Sequence, residues 1–86
     1  MYQLVVVQNG QYGFVHRDNE RMVLDHPFEK YENALAAAER RYRMEVNVKD
    51  PDMKPERLEG APGDFTVIVK KGRWADFSDH YFIEEV

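Results

Sequence analysis

Tyr2-Gln3-Leu4-Val5-Val6-Val7-Gln8-Asn9-Gly10-Gln11-Tyr12-Gly13-Phe14-Val15-His16-Arg17 is the stretch whose reading decides the fold. Its first half is apolar at four successive positions, Leu4 to Val7. Apolar side chains then lie on both faces of a strand, which implies a central place in a sheet. Asn9-Gly10 follows, a pair that tolerates positive φ at both central positions of a two-residue hairpin turn. A turn there returns the chain as a second strand, Gln11 to Arg17. Val7 then faces Tyr12, Val5 faces Phe14, Val6 faces Gly13 and Leu4 faces Val15. Both faces of that register are self-consistent, so it is well specified.

Beyond this hairpin, Asp18-Asn19-Glu20 reads as a polar turn. Arg21 to Asp25 reads as a short third strand, with Met22 and Leu24 on one face and Pro27 ending it. Tyr31 to about Asn47 is a helix. Tyr31, Leu35, Ala38, Tyr42 and Val46 fall on one stripe at helical spacing, with Ala34 beside it. Four alanines in five positions, Ala34 to Ala38, add helix propensity, and Glu39–Arg43 is a favourable i,i+4 pair. Residues 48–64 contain Pro51, Pro55, Pro62, Gly60 and Gly63 and read as a long loop. Phe65 to Lys70 is a strand, Lys71-Gly72 a turn, and Arg73 to Phe77 its return. Ser78-Asp79-His80 breaks the chain before a last strand, Tyr81 to Val86. Leu4 to Tyr12 and Thr66 to Trp74 echo each other when Gly10 and Gly72 are aligned, as two hairpins obeying one turn rule.

The expected architecture is α+β in a single domain, residues 1–86. It is an antiparallel sheet of five to six strands with one helix packed across a face, in the order β-β-β-α-loop-β-β-β. One helix leaves the second sheet face to be covered by the loop, by curling, or by a partner.

With 86 residues, the chain has room for one thin core. A hydrophobic fraction of 43% with 13% aromatics is ordinary globular composition and excludes disorder as the ground state. The absence of cysteine excludes disulfides, zinc-thiolate sites and thiol nucleophiles, and favours a reducing compartment. Residues 1–25 show no basic region followed by an apolar run, and no apolar stretch approaches a membrane span. The expected location is the cytoplasm, with no membrane partner.

Catalytic chemistry finds few parts. His16, His26 and His80 have no metal-ligand spacing and read as surface or strand-end histidines. Ser78, Asp79 and His80 are consecutive, and consecutive residues do not place nucleophile, base and orienter in line. The pairs Asp50/Asp52, Asp76/Asp79 and Glu84/Glu85 lie in expected loops or at the end of the chain, where water keeps carboxyls ordinary. No glycine-rich phosphate loop occurs. The expectation is a non-enzyme with no metal and no cofactor.

Binding chemistry is richer. The net charge of −4 arises entirely in residues 44–86, which hold six basic and ten acidic side chains. Asp64, Asp76, Asp79, Glu84 and Glu85 belong to the C-terminal strands. If they share a face, they offer fixed negative charge to a protein partner with a basic surface. Trp74, Phe77 and Tyr81 are the expected aromatic anchors beside that rim. The alternative is a nucleic-acid module in which Arg40, Arg41 and Arg43 take phosphates and the strand aromatics Tyr12, Phe14 and Trp74 stack on bases. The expected state is a monomer or a homodimer, since a core this thin leaves the second sheet face free to be buried against another copy.

Tyr12 to Ala38, a hairpin leading through Phe28 and Tyr31-Glu-Asn-Ala34-Leu into an alanine-rich helix, resembles small ββ(β)α domains of unknown function. In size, acidity and lack of catalytic residues the whole chain resembles phage-encoded inhibitor proteins of the anti-CRISPR type. That resemblance implies a non-catalytic protein that occupies the nucleic-acid-binding or effector surface of its target. It rests on no motif, so it implies a class and assigns no residues.

Overall fold

The structure, a computed structural model, describes residues 1–25 and 27–86. The expectation for His26 lies outside the described residues. Five strands and one helix follow in the order β1 (Tyr2–Tyr12), β2 (Val15–Val23), α1 (Tyr31–Val46), β3 (Arg57–Ala61), β4 (Asp64–Lys71) and β5 (Ala75–Glu85). The class is α+β, as expected. The order is β-β-α-β-β-β, with two strands before the helix instead of three.

All pairings are antiparallel, and the spatial order is β2-β1-β5-β4-β3. The first strand therefore lies beside the last. The β1–β5 ladder runs from Tyr2↔Glu85 to Tyr12↔Ala75, and the Met1 ammonium donates to the Val86 carbonyl at 3.0 Å. Leu4, Val5 and Val6 are buried on both faces of β1, as a central strand requires.

The expected Asn9-Gly10 turn does not form. β1 runs straight through Gly10, and the chain reverses at Gly13-Phe14, so that Tyr12 pairs with Val15. Gly13 has φ +59 at the first central position, where a type II′ turn places glycine. Gly10 serves another purpose. At φ +119 it meets β5 so closely that a Cβ would lie 2.3 Å from the Asp76 carbonyl oxygen and 2.6 Å from Phe77 Cα.

Opposite Gly10 the ladder slips. Gln8 pairs with Glu20 and Gly10 with Arg17, so Asp18 and Asn19 face the single residue Asn9. The expected Asp18-Asn19-Glu20 turn is thus a β-bulge within β2, with Asn19 at φ +50. Of the expected third strand, Arg21 to Val23 form the end of β2, and Leu24 and Asp25 lie beyond it.

The expected loop over 48–64 contains β3, whose Leu58 sits opposite Val67. As a short edge strand, β3 needs one inward apolar side chain, too weak a pattern to read. The expected break at Ser78-Asp79-His80 is the middle of β5, paired on both sides with β1 and β4. A central strand carries these polar residues because Ser78 and His80 lie on the face without a helix, while Asp79 opens into a cleft described below.

α1 begins at Tyr31 as expected, and Asn47 closes it by donating through Nδ2 to the Arg43 carbonyl at 2.8 Å. Its inward stripe is rotated from the expected one. Ala34, Ala37 and Ala38 are buried, whereas Tyr31 and Val46 are exposed. The alanines let the helix approach closely, with Ala37 and Ala38 against Leu4, and with Leu24, Phe28 and Ile83 around them. The larger core lies further along the same sheet face: Val6, Phe65, Val67, Val69, Ala75 and Tyr81, with Phe65 stacked on Tyr81 at 4.8 Å and Tyr42 edge-on to Phe65 at 5.1 Å. No helix among the described residues packs on the opposite face, where Val7, Ile68 and Phe82 are half-buried.

Gly10 supplies the test of this architecture. Gly10→Ala is expected to lower stability by about 3 kcal/mol, because both the positive φ and the backbone of β5 oppose a side chain there. Urea unfolding of the variant measures this. A loss below about 0.5 kcal/mol would show that β5 does not approach as described.

Candidate functional site

Because β1 and β5 are neighbours, the β1–β2 and β4–β5 turns meet at one end of the sheet. The Gly13 N–H donates to the Trp74 carbonyl at 2.7 Å, and Gln11 Nε2 donates to the Arg73 carbonyl at 2.8 Å. These bonds hold together a surface that is unusually apolar for exposed turns. Phe14 is 97% exposed and Trp74 55%, with Val15 and Tyr12 also exposed beside them. Tyr12 bridges the group, its ring 6.0 Å from Trp74 and 6.1 Å from Phe77. Exposed Lys70, Lys71 and Arg73 surround the β4–β5 turn.

Behind the aromatic rim, a cleft of about 370 Å³ opens between the C-terminal half of α1 and the sheet. Its formation is legible in the helix stripe. Ala34, Ala37 and Ala38 are continued at helical spacing by Arg41 and Glu45, so the inward face changes from alanine to charge. Val69, Phe77 and Asp79 form the floor, and Tyr12 stands on the far side.

The polar groups here are linked. Arg41 donates through Nε and Nη2 to the Tyr81 hydroxyl at 3.1 and 2.9 Å, and pairs with Glu45 at 3.2 Å. Its guanidinium also lies 5.2 Å from the centre of the Tyr81 ring. Burial works against the Arg41 charge, but Tyr81, Glu45 and Asp79 outweigh it and the guanidinium binds its proton more firmly than usual. Burial pushes the Tyr81 hydroxyl up to about 12, with Arg41 opposing. Burial likewise pushes the Asp79 carboxyl up to about 6, with the Glu45 charge adding to it and Arg41 opposing.

The structure separates the acidic residues grouped by sequence. Strand alternation puts Asp64, Asp76 and Glu84 on the face without the helix, and Asp79 and Glu85 on the helix side. Two of the first three have partners: Asp64 meets His80 at 2.7 Å, and Glu84 pairs with Arg21. Asp76 sits opposite Lys70. The five carboxylates therefore form no single face.

Of the three aromatic anchors, Trp74 and Phe77 are brought together through Tyr12. Tyr81 is 2% exposed and belongs to the core. The three arginines divide as well, with Arg40 and Arg43 exposed and Arg41 turned inward to Tyr81. Ser78 and His80 point away from Asp79, so these three converge on nothing. Among the described residues, no three His, Asp or Glu side chains come together.

As a binding residue, sequence reasoning names Phe14 only as a base-stacking aromatic of the nucleic-acid alternative, and it misses Val15, Lys70, Lys71 and Arg73, and the Arg41–Glu45 pair as an inward feature. Tyr12-Gly13-Phe14 carried the available signal, since Gly13 also opens a two-residue turn. Comparison with known proteins adds nothing: no protein family, curated protein or solved structure matches this chain.

Asp79 gives the cleft a measurable pH signature. Its carboxyl holds its proton more tightly folded, at about 6, than unfolded, at about 4. The native state therefore binds more protons in that window, and stability falls as pH rises from about 4 through 6. Asp79→Asn is expected to flatten this fall and to raise stability near neutral pH by on the order of 1 kcal/mol, after allowance for solvent screening at a partly exposed group. Urea midpoints measured across the window check it. Parallel profiles for variant and wild type would refute the assignment.

Proposed function

We propose that the chain is a non-catalytic protein-binding module that docks through the end of the sheet where its two turns meet. The observation that carries this reading is Phe14, 97% exposed at a turn held against the half-exposed Trp74. A single exposed aromatic is unremarkable, but a contiguous set of Phe14, Trp74, Tyr12 and Val15 costs solubility and matches the composition of binding hot spots. Gly13 and Gln11 tie the two turns together, so the surface is formed before a partner arrives.

The cleft behind it supports a binding role over a catalytic one. Among the described residues no serine, threonine or histidine lines it, and its two arginines are paired, Arg41 with Tyr81 and Glu45 and Arg17 with Glu20. A module of this size would act by occupying its partner's surface, in the manner of the phage-encoded inhibitors it resembles. The helix arginines carry no second reading, since Arg41 is committed to Tyr81 and Glu45 and does not stand free beside Arg40 and Arg43 to take a phosphate.

Site-specific photo-crosslinking tests the proposal. A photoreactive phenylalanine at position 14 is expected to give a discrete protein adduct in lysate that the same group at position 32, in the first turn of α1, does not give. Trp74→Ala should reduce the position-14 yield several-fold with the melting temperature unchanged. Equal labelling from positions 14 and 32, or no loss in Trp74→Ala, would overturn it.

A further inference from the structure

We infer that the docking end recognises a compact acidic patch on its partner protein, with Phe14 and Trp74 entering an apolar socket between the partner's carboxylates. This rests on the docking reading above and adds the sign and shape of the partner's surface.

The argument begins with how the chain's cations are used. Arg17 is paired with Glu20, Arg21 with Glu84, Arg41 with Glu45 and Arg57 with Glu59. Of the chain's twelve cations, Lys70, Lys71 and Arg73 have no ion-pair partner within 4.0 Å among the described residues, as holds also for Lys30, Arg40, Arg43, Lys49 and Lys54, but only here do three such cations fall within four consecutive positions. A chain of net charge −4 thus concentrates three unpaired cations around one turn, beside its most exposed aromatics. Strand alternation sets Lys70 on the face without the helix and Lys71 on the helix side, with Arg73 in the turn between β4 and β5. Lys70 and Arg73 border one depression together with Asp76, while Lys71 lies on the other face, so the cations flank the turn that carries Trp74 on both faces instead of lining a track. Placing carboxylates on both sides of an apolar socket answers that geometry in both charge and shape.

Extended polyanions fit less well. A phosphate backbone needs positive charge along a path. Here Asp76 lies directly across from Lys70, and Asp79, Asp64 and Glu84 lie further along the same two strands. A flat anionic lipid surface would bring Asp76 toward it along with Lys70 and Arg73. A local cluster of carboxylates avoids both conflicts.

Trp74 is the only tryptophan, so its fluorescence reads the site directly. The purified chain is titrated with three probes compared at the same ionic strength, the peptide titration being repeated at higher salt: a Glu/Asp-rich peptide containing leucine, a single-stranded oligodeoxynucleotide, and phosphatidylcholine vesicles containing phosphatidylserine. The acidic peptide is expected to change Trp74 emission saturably and to weaken steeply with salt. Its affinity should fall at least about ten-fold in K71E/R73E, whose fold is checked by circular dichroism. Tighter binding of the oligonucleotide or the vesicles, unchanged peptide affinity in K71E/R73E, or no response to the peptide would each overturn the inference. If the position-14 crosslink survives in K71E/R73E, docking stands and its acidic chemistry fails. If no crosslink forms while the peptide still binds as described, the docking reading fails and the charge preference stands.

Discussion

The pairing of β1 with β5 is the constraint on which the rest of the structure depends. It joins the first strand to the last over eleven residues on each side and makes both of them central. Every buried strand position then has neighbours on two sides, which lets a small chain bury Leu4, Val5, Val6 and Tyr81 almost completely. The same pairing brings two turns distant in sequence to one end. Without it, Phe14 and Trp74 would be two unrelated exposed aromatics. Gly10 is the local condition for it, because the two backbones meet there with no room for a side chain.

The helix sets a second constraint by what it leaves uncovered. Its alanines seat it tightly over Leu4, but at Arg41 and Glu45 the inward stripe becomes charged. Charged groups at that depth need partners, and Tyr81 supplies one through its hydroxyl. The result is a cleft in which the charged groups of α1 face a largely apolar sheet floor, beside a close-packed apolar core under the alanines. Asp79 sits at the boundary, buried enough to resist ionisation yet open to the cleft.

Sequence patterns conveyed the class of fold, the helix and the central place of β1, because long periodic segments state those directly. They failed where one residue type serves two purposes. Asn9-Gly10 has turn chemistry, but its glycine is needed for a close strand contact, and the true turn lies three residues on at Gly13. Asp18-Asn19-Glu20 has turn composition and forms a bulge, since Asn19 accepts a left-handed backbone in either setting. β3 escaped notice because an edge strand needs little apolar pattern. The acidic group dissolved for a different reason: alternation and cross-strand partners divide Asp64, Asp76, Asp79, Glu84 and Glu85, and pairing across a sheet is invisible in a linear count. Phe14 was assigned to the core opposite Val5 by the mistaken register, so its exposure could not be foreseen.

The ladder between the first and last strands also governs when this protein can become folded. β1 is made before β5, so its β5-facing edge stays open until β5 has been made. Until then Leu4 to Val7 form an unprotected apolar edge, the kind that recruits foreign strands. Such long-range closure is slow compared with local contacts, so the nascent chain passes through an interval of vulnerability that a simple hairpin meander would avoid. The charged edge strand β2, with Arg17, Asp18, Glu20 and Arg21, stands on the other side of β1 during that interval and acts as its early guard.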